Sequence, residues 1–423
     1  MFDRISHVLE AAIFIIFCTL LLNYSNPPTT DKTENIRAFT RNIEFDYITW
    51  TINAALIKME TASIGVPSTF TPESQKQIVM DYLHSTQLLL DQQNQLEQLY
   101  ADASITDKET ASTSLRAELG ATSTRQSQLA PLAEATIQNQ VSLVLAEEGL
   151  TTGGQTIPNV LFHSTPLPMA LIVSPRDRID QAANISLETN ITIDEQAALE
   201  NHVDKSLNLS SLVVPVGGIG VYPTMVMQTT DIRWLLEVIS HEWTHNYLTL
   251  RPLGLLYNKS SELRTMNETT ANISGKEVGT LVLQHFYPEL AASNPPSNLI
   301  ALPLGHPNPG DLPRPVFDFR AEMHETRVTV DAYLAQGKIE EAESYMESRR
   351  LVFMQHGYLL RKLNQAYFAF YGAYADVPGG AAGEDPVGPA VRALREQSAS
   401  LADFINRMSW MTSFEQLQET VAK

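Results

Sequence analysis

Two histidines four positions apart enclose a glutamate near the middle of the chain, in the sequence HEWTH at positions 241–245. A spacing of four places His241 and His245 on one face of an α-helix, so both imidazoles can reach a single metal ion. Glu242 is rotated by about 100° from that face, so it can contact a water on the metal rather than the metal itself. Apolar spacing and the N-cap residue Asp231 indicate that the segment 231–248 is helical.

A catalytic zinc keeps one coordination position for water and therefore needs three protein ligands. Glu268, in the sequence MNETTA at 266–271, is the predicted third ligand. It follows His245 by 23 positions (268 − 245), which leaves room for a loop and a second helix lying beside the first. Asn272, one turn further on, is placed to hydrogen-bond a ligand histidine. Because Cys18 is the one cysteine of the chain, a multi-cysteine metal site is excluded.

These two segments resemble the gluzincin metallopeptidases, whose thermolysin-like fold uses two histidines and a downstream glutamate. The resemblance covers about residues 212–285. It implies Zn²⁺ as the cofactor, with His241, His245 and Glu268 as its ligands and Glu242 as the general base.

The same resemblance implies the fold class. We expect an α+β, mainly helical protein with a thermolysin-like zincin core and a small mixed sheet. Long polar helices before the core predict an N-terminal helical hairpin, and long helices after it predict a C-terminal helical subdomain.

A looser resemblance to bacterial predicted aminopeptidases of the gluzincin type extends over residues 363–378. This resemblance suggests which residue would donate a hydrogen bond to the oxyanion that forms during hydrolysis. The sequence offers Tyr367, Tyr371, Tyr374 and His324 as candidates, and the tail resemblance favours Tyr374.

The chain departs from the aminopeptidase pattern at one point. Gluzincin aminopeptidases often carry a glutamate on the edge strand, in a G-x-M-E-N motif that holds the substrate amine. The corresponding region, residues 218–223, reads GIGVYP and has no carboxylate. The resemblance therefore implies peptide hydrolysis and leaves endo- and exopeptidase action open.

The composition excludes some partners. The chain has 29 Lys and Arg against 48 Asp and Glu, a net charge of −19. Such an acidic chain repels phosphate backbones, so nucleic-acid binding is not expected. Hydrophobic residues make up 43%, which is enough to bury a large core in 423 residues.

The N-terminus contains an uncharged apolar run, AAIFIIFCTLLL, at positions 11–22. Counted over residues 5–24 the run is about 20 residues long, which matches one bilayer span. We therefore expect a transmembrane anchor over residues 1–25, with the catalytic part extracytoplasmic because Arg4 lies closest to the span. A cleaved signal peptide is the alternative, although no A-x-A pattern follows the run.

Composition and periodicity divide the rest of the chain into three parts. These are a helical region (26–150), the zincin core with both metal-binding helices (151–290) and the C-terminal helical subdomain (291–423). Within the first and last parts, single continuous helices are predicted over 31–59 and 338–374.

The sequence therefore predicts a membrane-anchored zinc peptidase that acts on a peptide or protein substrate. The alternative, from a different class, is a non-catalytic, membrane-tethered helical scaffold with a structural metal site. Glu242 favours catalysis, because a purely structural site does not need a carboxylate beside its ligands. The oligomeric state is left open.

Overall fold

The computed structural model describes residues 31–63, 69–101, 107–292, 317–358, 360–372 and 386–422. Over these residues the protein is α+β and mostly helical, as predicted. Where the sequence predicts one small sheet, the described residues form two sheets of three strands each.

The helices, in chain order, are α1 (Lys32–Arg37), α2 (Tyr47–Ser63), α3 (Pro72–Ala101), α4 (Lys108–Glu147), α5 (Ile193–Leu207), α6 (Ile232–Thr249), α7 (Pro252–Leu255), α8 (Ser261–Phe286), α9 (Pro288–Ala291), α10 (Phe319–Ala335), α11 (Ile339–Gln355), α12 (Gln365–Tyr371), α13 (Val387–Gln397), α14 (Leu401–Ser409) and α15 (Phe414–Val421). The strands are β1 (Phe162–Thr165), β2 (Met169–Pro175), β3 (Ala183–Leu187), β4 (Leu209–Pro215), β5 (Gly218–Ile219) and β6 (Thr224–Met227).

The first sheet has the order β1-β6-β5 and is mixed: β1 runs parallel to β6, whereas β5 runs antiparallel to it. The second sheet has the order β3-β2-β4, with β2 antiparallel to both neighbours. Because β5 pairs with β6 alone among the described strands, it is an edge strand.

The largest core cluster surrounds α6 and α8. Its buried residues come from α3, α4, β1, α6, α8 and the C-terminal helices α13 to α15. A second cluster lies between the β3-β2-β4 sheet and helices α10 to α12. The C-terminal helices thus contribute to two different cores, and the predicted boundaries at residues 150 and 290 stay predictions.

The long helices α3 and α4 pack against each other. Their connection lies outside the described residues, so the predicted helical hairpin stays a prediction. α4 runs through Pro131 without interruption.

The predicted helix over 31–59 is wrong in its middle, because α1 ends at Arg37 and α2 begins at Tyr47. The intervening backbone pairs with the end of β3 instead: Phe45 N donates to Ser186 O (3.0 Å), and Glu188 N donates to Ile43 O (2.8 Å). Strand-like hydrogen bonds to a distant segment thus replace those of a helix.

The predicted helix over 338–374 is also broken. α11 ends at Gln355, and Gly357 adopts a φ of 88°, in the left-handed region that favours glycine. A new helix, α12, starts at Gln365 after the side chain of Asn364 accepts a hydrogen bond from Tyr367 N.

The predicted transmembrane anchor over residues 1–25 lies outside the described residues. Among the helices that are described, none combines the length and apolar character required for a bilayer span. The predicted single-pass membrane protein with an extracytoplasmic catalytic part is therefore not supported, and this prediction is corrected.

Candidate metal centre

Helix α6 carries three of the predicted site residues, two of them at buried positions. Asp231 caps the helix by accepting hydrogen bonds from the backbone N–H groups of residues 233 and 234. His241 and Glu242 are 7% and 6% exposed, and His245 is only partly exposed. The predicted helix is thus confirmed, with its charged motif inside the protein rather than on a solvated face.

Helix α8 packs closely against α6, because glycines on α8 meet the α6 backbone. A Cβ atom at Gly275 would lie 2.8 Å from Glu237 O and 3.0 Å from His241 Cβ. A Cβ atom at Gly279 would lie 2.9 Å from Glu237 N. All three distances are shorter than van der Waals contact, so larger side chains would push the helices apart. This close approach brings Glu268, on α8, to the two histidines.

Three ligand atoms converge between the helices. His241 Nε2 and His245 Nε2 are 3.0 Å apart, and Glu268 Oε2 lies 3.7 Å from the former and 3.4 Å from the latter. Tetrahedral coordination with bonds of 2.0–2.1 Å separates neighbouring ligand atoms by about 3.3 Å. The observed separations scatter around that value, so His241, His245 and Glu268 form a group that could hold one metal ion.

The polar surroundings of the three atoms also fit a cation. Glu268 Oε2 is buried and has no hydrogen-bond donor among the described residues, whereas its other carboxylate oxygen accepts from the Tyr257 hydroxyl. His245 Nδ1 lies 2.8 Å from Asn267 Oδ1, which accepts a hydrogen bond from it, so Nε2 is the imidazole nitrogen that can bind a metal ion once it loses its proton. A buried carboxylate oxygen without a donor is costly unless a positive charge compensates it.

The three candidate ligands differ in their ionisation. Burial and the neighbouring charge of His245 lower the pKa of His241 to about 3, so this imidazole is neutral at pH 7, the form that binds metals. Desolvation opposes ionisation of His245 and Glu268, but their mutual attraction prevails. It raises the pKa of His245 to about 9 and lowers that of Glu268 to about 2. The neighbouring Asn272 side chain opposes this shift and raises the pKa of His241 in part, and its predicted hydrogen bond to a ligand histidine stays a prediction.

Glu242 stands apart from the three candidate ligands. It is not a member of the group whose ligand atoms converge. Burial, with a smaller contribution from Glu268, raises its pKa to about 7 despite the opposing charge of His245. Its carboxylate lies against β5, where a Cβ atom at Gly218 would fall 2.5 Å from Glu242 Oε1. The backbone of the edge strand therefore contacts the predicted general base directly.

The group opens into a cleft of about 590 Å³ between α6, α8 and the two sheets. Residues 217–220, at the edge strand, form one wall, and residues of β2 and β3 form another. Glu242 and the three candidate ligands all line this cleft, so a molecule bound in it would contact them.

The predicted oxyanion donors have different positions. Tyr371 lines the cleft. Tyr367 is buried beneath it, with the two ring centroids 4.5 Å apart. Among the described residues, His324 is not part of the cleft wall. Tyr374, the favoured candidate, lies outside the described residues.

Three residues of the site had no predicted role: Tyr257, Asn267 and Arg264. Asn267 adjoins Glu268, and the helical position next to a ligand is a signal that could have indicated it. Tyr257 lies in the segment between α7 and α8, and Arg264 lies one helical turn before Glu268. Nothing in the local sequence distinguishes these two residues from other polar residues of their segments.

The comparisons with known proteins add no relative: no family model, no curated protein and no solved structure matches this chain. The geometry described above is therefore what carries the functional argument.

Proposed function

We propose that this chain is a zinc-dependent peptidase that hydrolyses peptide bonds with water. The observation that carries the proposal is the arrangement of two carboxylates around two imidazoles. Glu268 joins His241 and His245 in one group, whereas Glu242 lies beside that group and faces the same cleft. Three ligands and one separate carboxylate are what hydrolysis by a metal-activated water requires.

Two imidazoles and one carboxylate are a donor set typical of zinc. His241, His245 and Glu268 would hold the ion, and Asn267 and Tyr257 would orient two of these ligands. Zinc would supply a Lewis acid that polarises the scissile carbonyl and acidifies a water molecule. The fit to a thermolysin-like core is part of this proposal and rests on the resemblance of the two motif segments.

Glu242 would act as the general base and then as the general acid. Its pKa of about 7 lies near the operating range of a group that must both accept and return a proton. It would take a proton from the attacking water and pass it to the leaving amine. The cause of the raised pKa is burial, which the contact with β5 helps to maintain.

Substrate alignment would fall to the edge strand. β5 pairs with β6 on one side and lines the cleft, so its second edge is suited to pairing with an extended peptide. Such pairing would lay the peptide beside Glu242. Tyr371, whose pKa is raised by burial, keeps its hydroxyl proton and would be a donor for the oxyanion; the corresponding role of Tyr374 stays a prediction.

The replacement Glu242→Gln tests the proposal. It preserves shape and removes the base, so zinc content should be unchanged while hydrolysis of a peptide library falls by about 10²- to 10⁴-fold. The matched control is Glu262→Gln, an exposed position at the start of α8. Full activity of the Glu242 variant would contradict the assigned role. A zinc-loaded protein that cleaves no peptide of the library would favour a structural metal site in a non-catalytic scaffold instead.

A further inference from the structure

Arg264 occupies an unusual position on the first turn of α8. It lines the cleft, yet the residue is only 7% exposed. Its Nε atom is buried without a hydrogen-bond partner, and within the described part of the chain its guanidinium forms no ion pair. A buried charge without a counter-ion is destabilising, so a protein that retains one usually has a ligand for it.

The acidic residue one helical turn away does not compensate this charge. Glu268 lies four positions further along α8, a spacing that favours an ion pair. However, its two oxygens are directed to other groups, one to the Tyr257 hydroxyl and the other to the imidazoles of His241 and His245. The guanidinium is left facing the cleft.

The other carboxylates that line the described cleft are also engaged. Asp231 accepts hydrogen bonds from the first turn of α6, and Glu242 lies against the β5 backbone. Among the described residues of the cleft wall, Arg264 is the one lysine or arginine. The cleft thus offers one fixed cation, from a side chain whose planar fork matches a carboxylate in a bidentate geometry.

We propose that Arg264 binds a carboxylate of the substrate and thereby selects peptides that carry an acidic side chain or a free C-terminus near the cleaved bond. This inference rests on the proposed peptidase function. The Cα atoms of Arg264 and Glu268 are about 6 Å apart along the helix axis, which equals the length of about two residues of extended peptide. The bound carboxylate therefore belongs to a residue close to the scissile bond. The absence of a carboxylate at residues 218–223 agrees with a cleft that recognises a negative rather than a positive substrate group.

Two sources of this carboxylate differ in their chemistry: the C-terminus of the peptide and the side chain of Asp or Glu. Four pentapeptide pools with blocked N-termini distinguish them. The first pool has a free C-terminus and the second an amidated one. The third and fourth pools are both amidated; the third contains Asp and Glu, and the fourth contains Asn and Gln in their place. Binding of each pool is measured by calorimetry to the full-length, zinc-loaded Glu242→Gln protein, which does not turn the peptides over.

We expect one carboxylate pool to bind about tenfold to a hundredfold more tightly than its matched amide pool, as one charge-assisted bidentate contact implies. The pair of pools that shows the difference identifies the source. Equal binding of carboxylate and amide pools in both pairs would overturn the proposal. This comparison needs no change at Arg264, so it remains decisive if variants at that position do not fold.

The second arm introduces Arg264→Gln and Arg264→Lys into the same background. Glutamine should abolish the preference for the carboxylate pool while leaving amide binding unchanged, and lysine should restore part of it because it keeps the charge without the fork. Lys259→Gln, an exposed position that makes the same charge change, is the control. An equal loss for both pools in Arg264→Gln would overturn the proposal. Because binding is measured without hydrolysis, a failure of the peptidase proposal would not be mistaken for a failure here.

Discussion

Asn267 connects the candidate ligand His245 to the segment between the two central helices. Its amide oxygen lies 2.8 Å from His245 Nδ1, and its amide nitrogen donates to Leu253 O at 3.3 Å. The first contact determines which imidazole nitrogen carries the proton, and the second holds the amide in the orientation that makes this possible. The orientation of the His245 ring therefore depends on backbone in a different element, α7.

Replacing Asn267 should weaken metal binding without removing a ligand. Asn267→Ala takes away the acceptor for His245 Nδ1, and we expect zinc affinity to fall by about 10- to 100-fold. Competition with a chromophoric chelator measures this. Asn267→Asp keeps the acceptor and should retain most of the affinity. If Asn267→Ala binds zinc as tightly as the unmodified protein, the orienting role is wrong.

Removal of a ligand should have a larger effect. His245→Ala and Glu268→Gln each leave two of the three donors, so we expect less than one tenth of the zinc content after dialysis, since three protein ligands are needed for a stable catalytic site. Elemental analysis of the dialysed proteins checks the stoichiometry. The comparison is His285→Ala, whose imidazole is half exposed at the far end of α8. One zinc per chain in Glu268→Gln would exclude Glu268 as a ligand.

The contact between β5 and Glu242 predicts a functional defect from one methyl group. In Gly218→Ala the new Cβ would lie 2.5 Å from Glu242 Oε1, so the flexible carboxylate must move. A displacement of this size costs about 10- to 100-fold in hydrolysis, with zinc content unchanged. Gly220→Ala places its Cβ at 3.4 Å from Glu242 Oε2, an ordinary contact, and should have a small effect. Equal activities of the two variants would argue against this contact.

The packing of α6 on α8 predicts a stability defect. Gly275→Ala inserts a Cβ 2.8 Å from Glu237 O, a backbone atom that cannot rotate away. We expect the free energy of unfolding to fall by about 1–3 kcal/mol, and zinc affinity to fall with it because the helices separate. Urea titration followed by circular dichroism measures the first quantity.

Gly120→Ala is the matched control. It lies inside α4, and a Cβ there would meet no atom within 4 Å. Alanine should therefore stabilise the protein by about 0.5–1 kcal/mol through helix propensity. The same sign of effect at both glycines would contradict the packing argument.

A buried ion cluster away from the cleft predicts a pH dependence of stability. Glu134, 1% exposed, contacts the Lys58 ammonium group and lies 3.1 Å from His163 Nδ1. Burial opposes its ionisation, but Lys58 and His163 lower the pKa of Glu134 below the ordinary value of 4.5. A carboxylate whose pKa is lower in the folded than in the unfolded state stabilises the protein at pH values above the unfolded-state pKa. This stabilisation is lost as the pH falls through the folded-state pKa.

The stabilisation by Glu134 should thus be complete at pH 7 and decrease below about pH 4.5. Glu134→Gln leaves the Lys58 charge buried and should lower the free energy of unfolding by about 3 kcal/mol or more at pH 7. The deficit should shrink toward pH 3. Denaturant titrations at pH 7, 5 and 3 test this, with the exposed Glu118→Gln as the control. A deficit that is constant with pH would contradict the ionised state of Glu134.

Long-range pairing explains the two helices that the sequence predicted as continuous. Residues 38–46 have apolar spacing compatible with a helix, but their backbone hydrogen-bonds to the end of β3, more than 140 positions away. Near the C-terminus, Gly357 was the local signal for a break, because its positive φ ends α11. The interruption after α1 depends on a distant strand, whereas the end of α11 is indicated by a glycine in the local sequence.

The sequence by itself determined the elements of the site. The periodicity around residues 241–245 specifies a helix with two imidazoles on one face, and the spacing to Glu268 specifies a second helix carrying a third donor. Tertiary structure decided the rest: that glycines bring these helices into contact, that Tyr257 and Asn267 orient the donors, and that Arg264 is buried in the cleft without a counter-ion. The physical reason is that helical periodicity is a local property of the backbone. The burial and the partners of a polar side chain, in contrast, are set by segments that meet only in the folded chain.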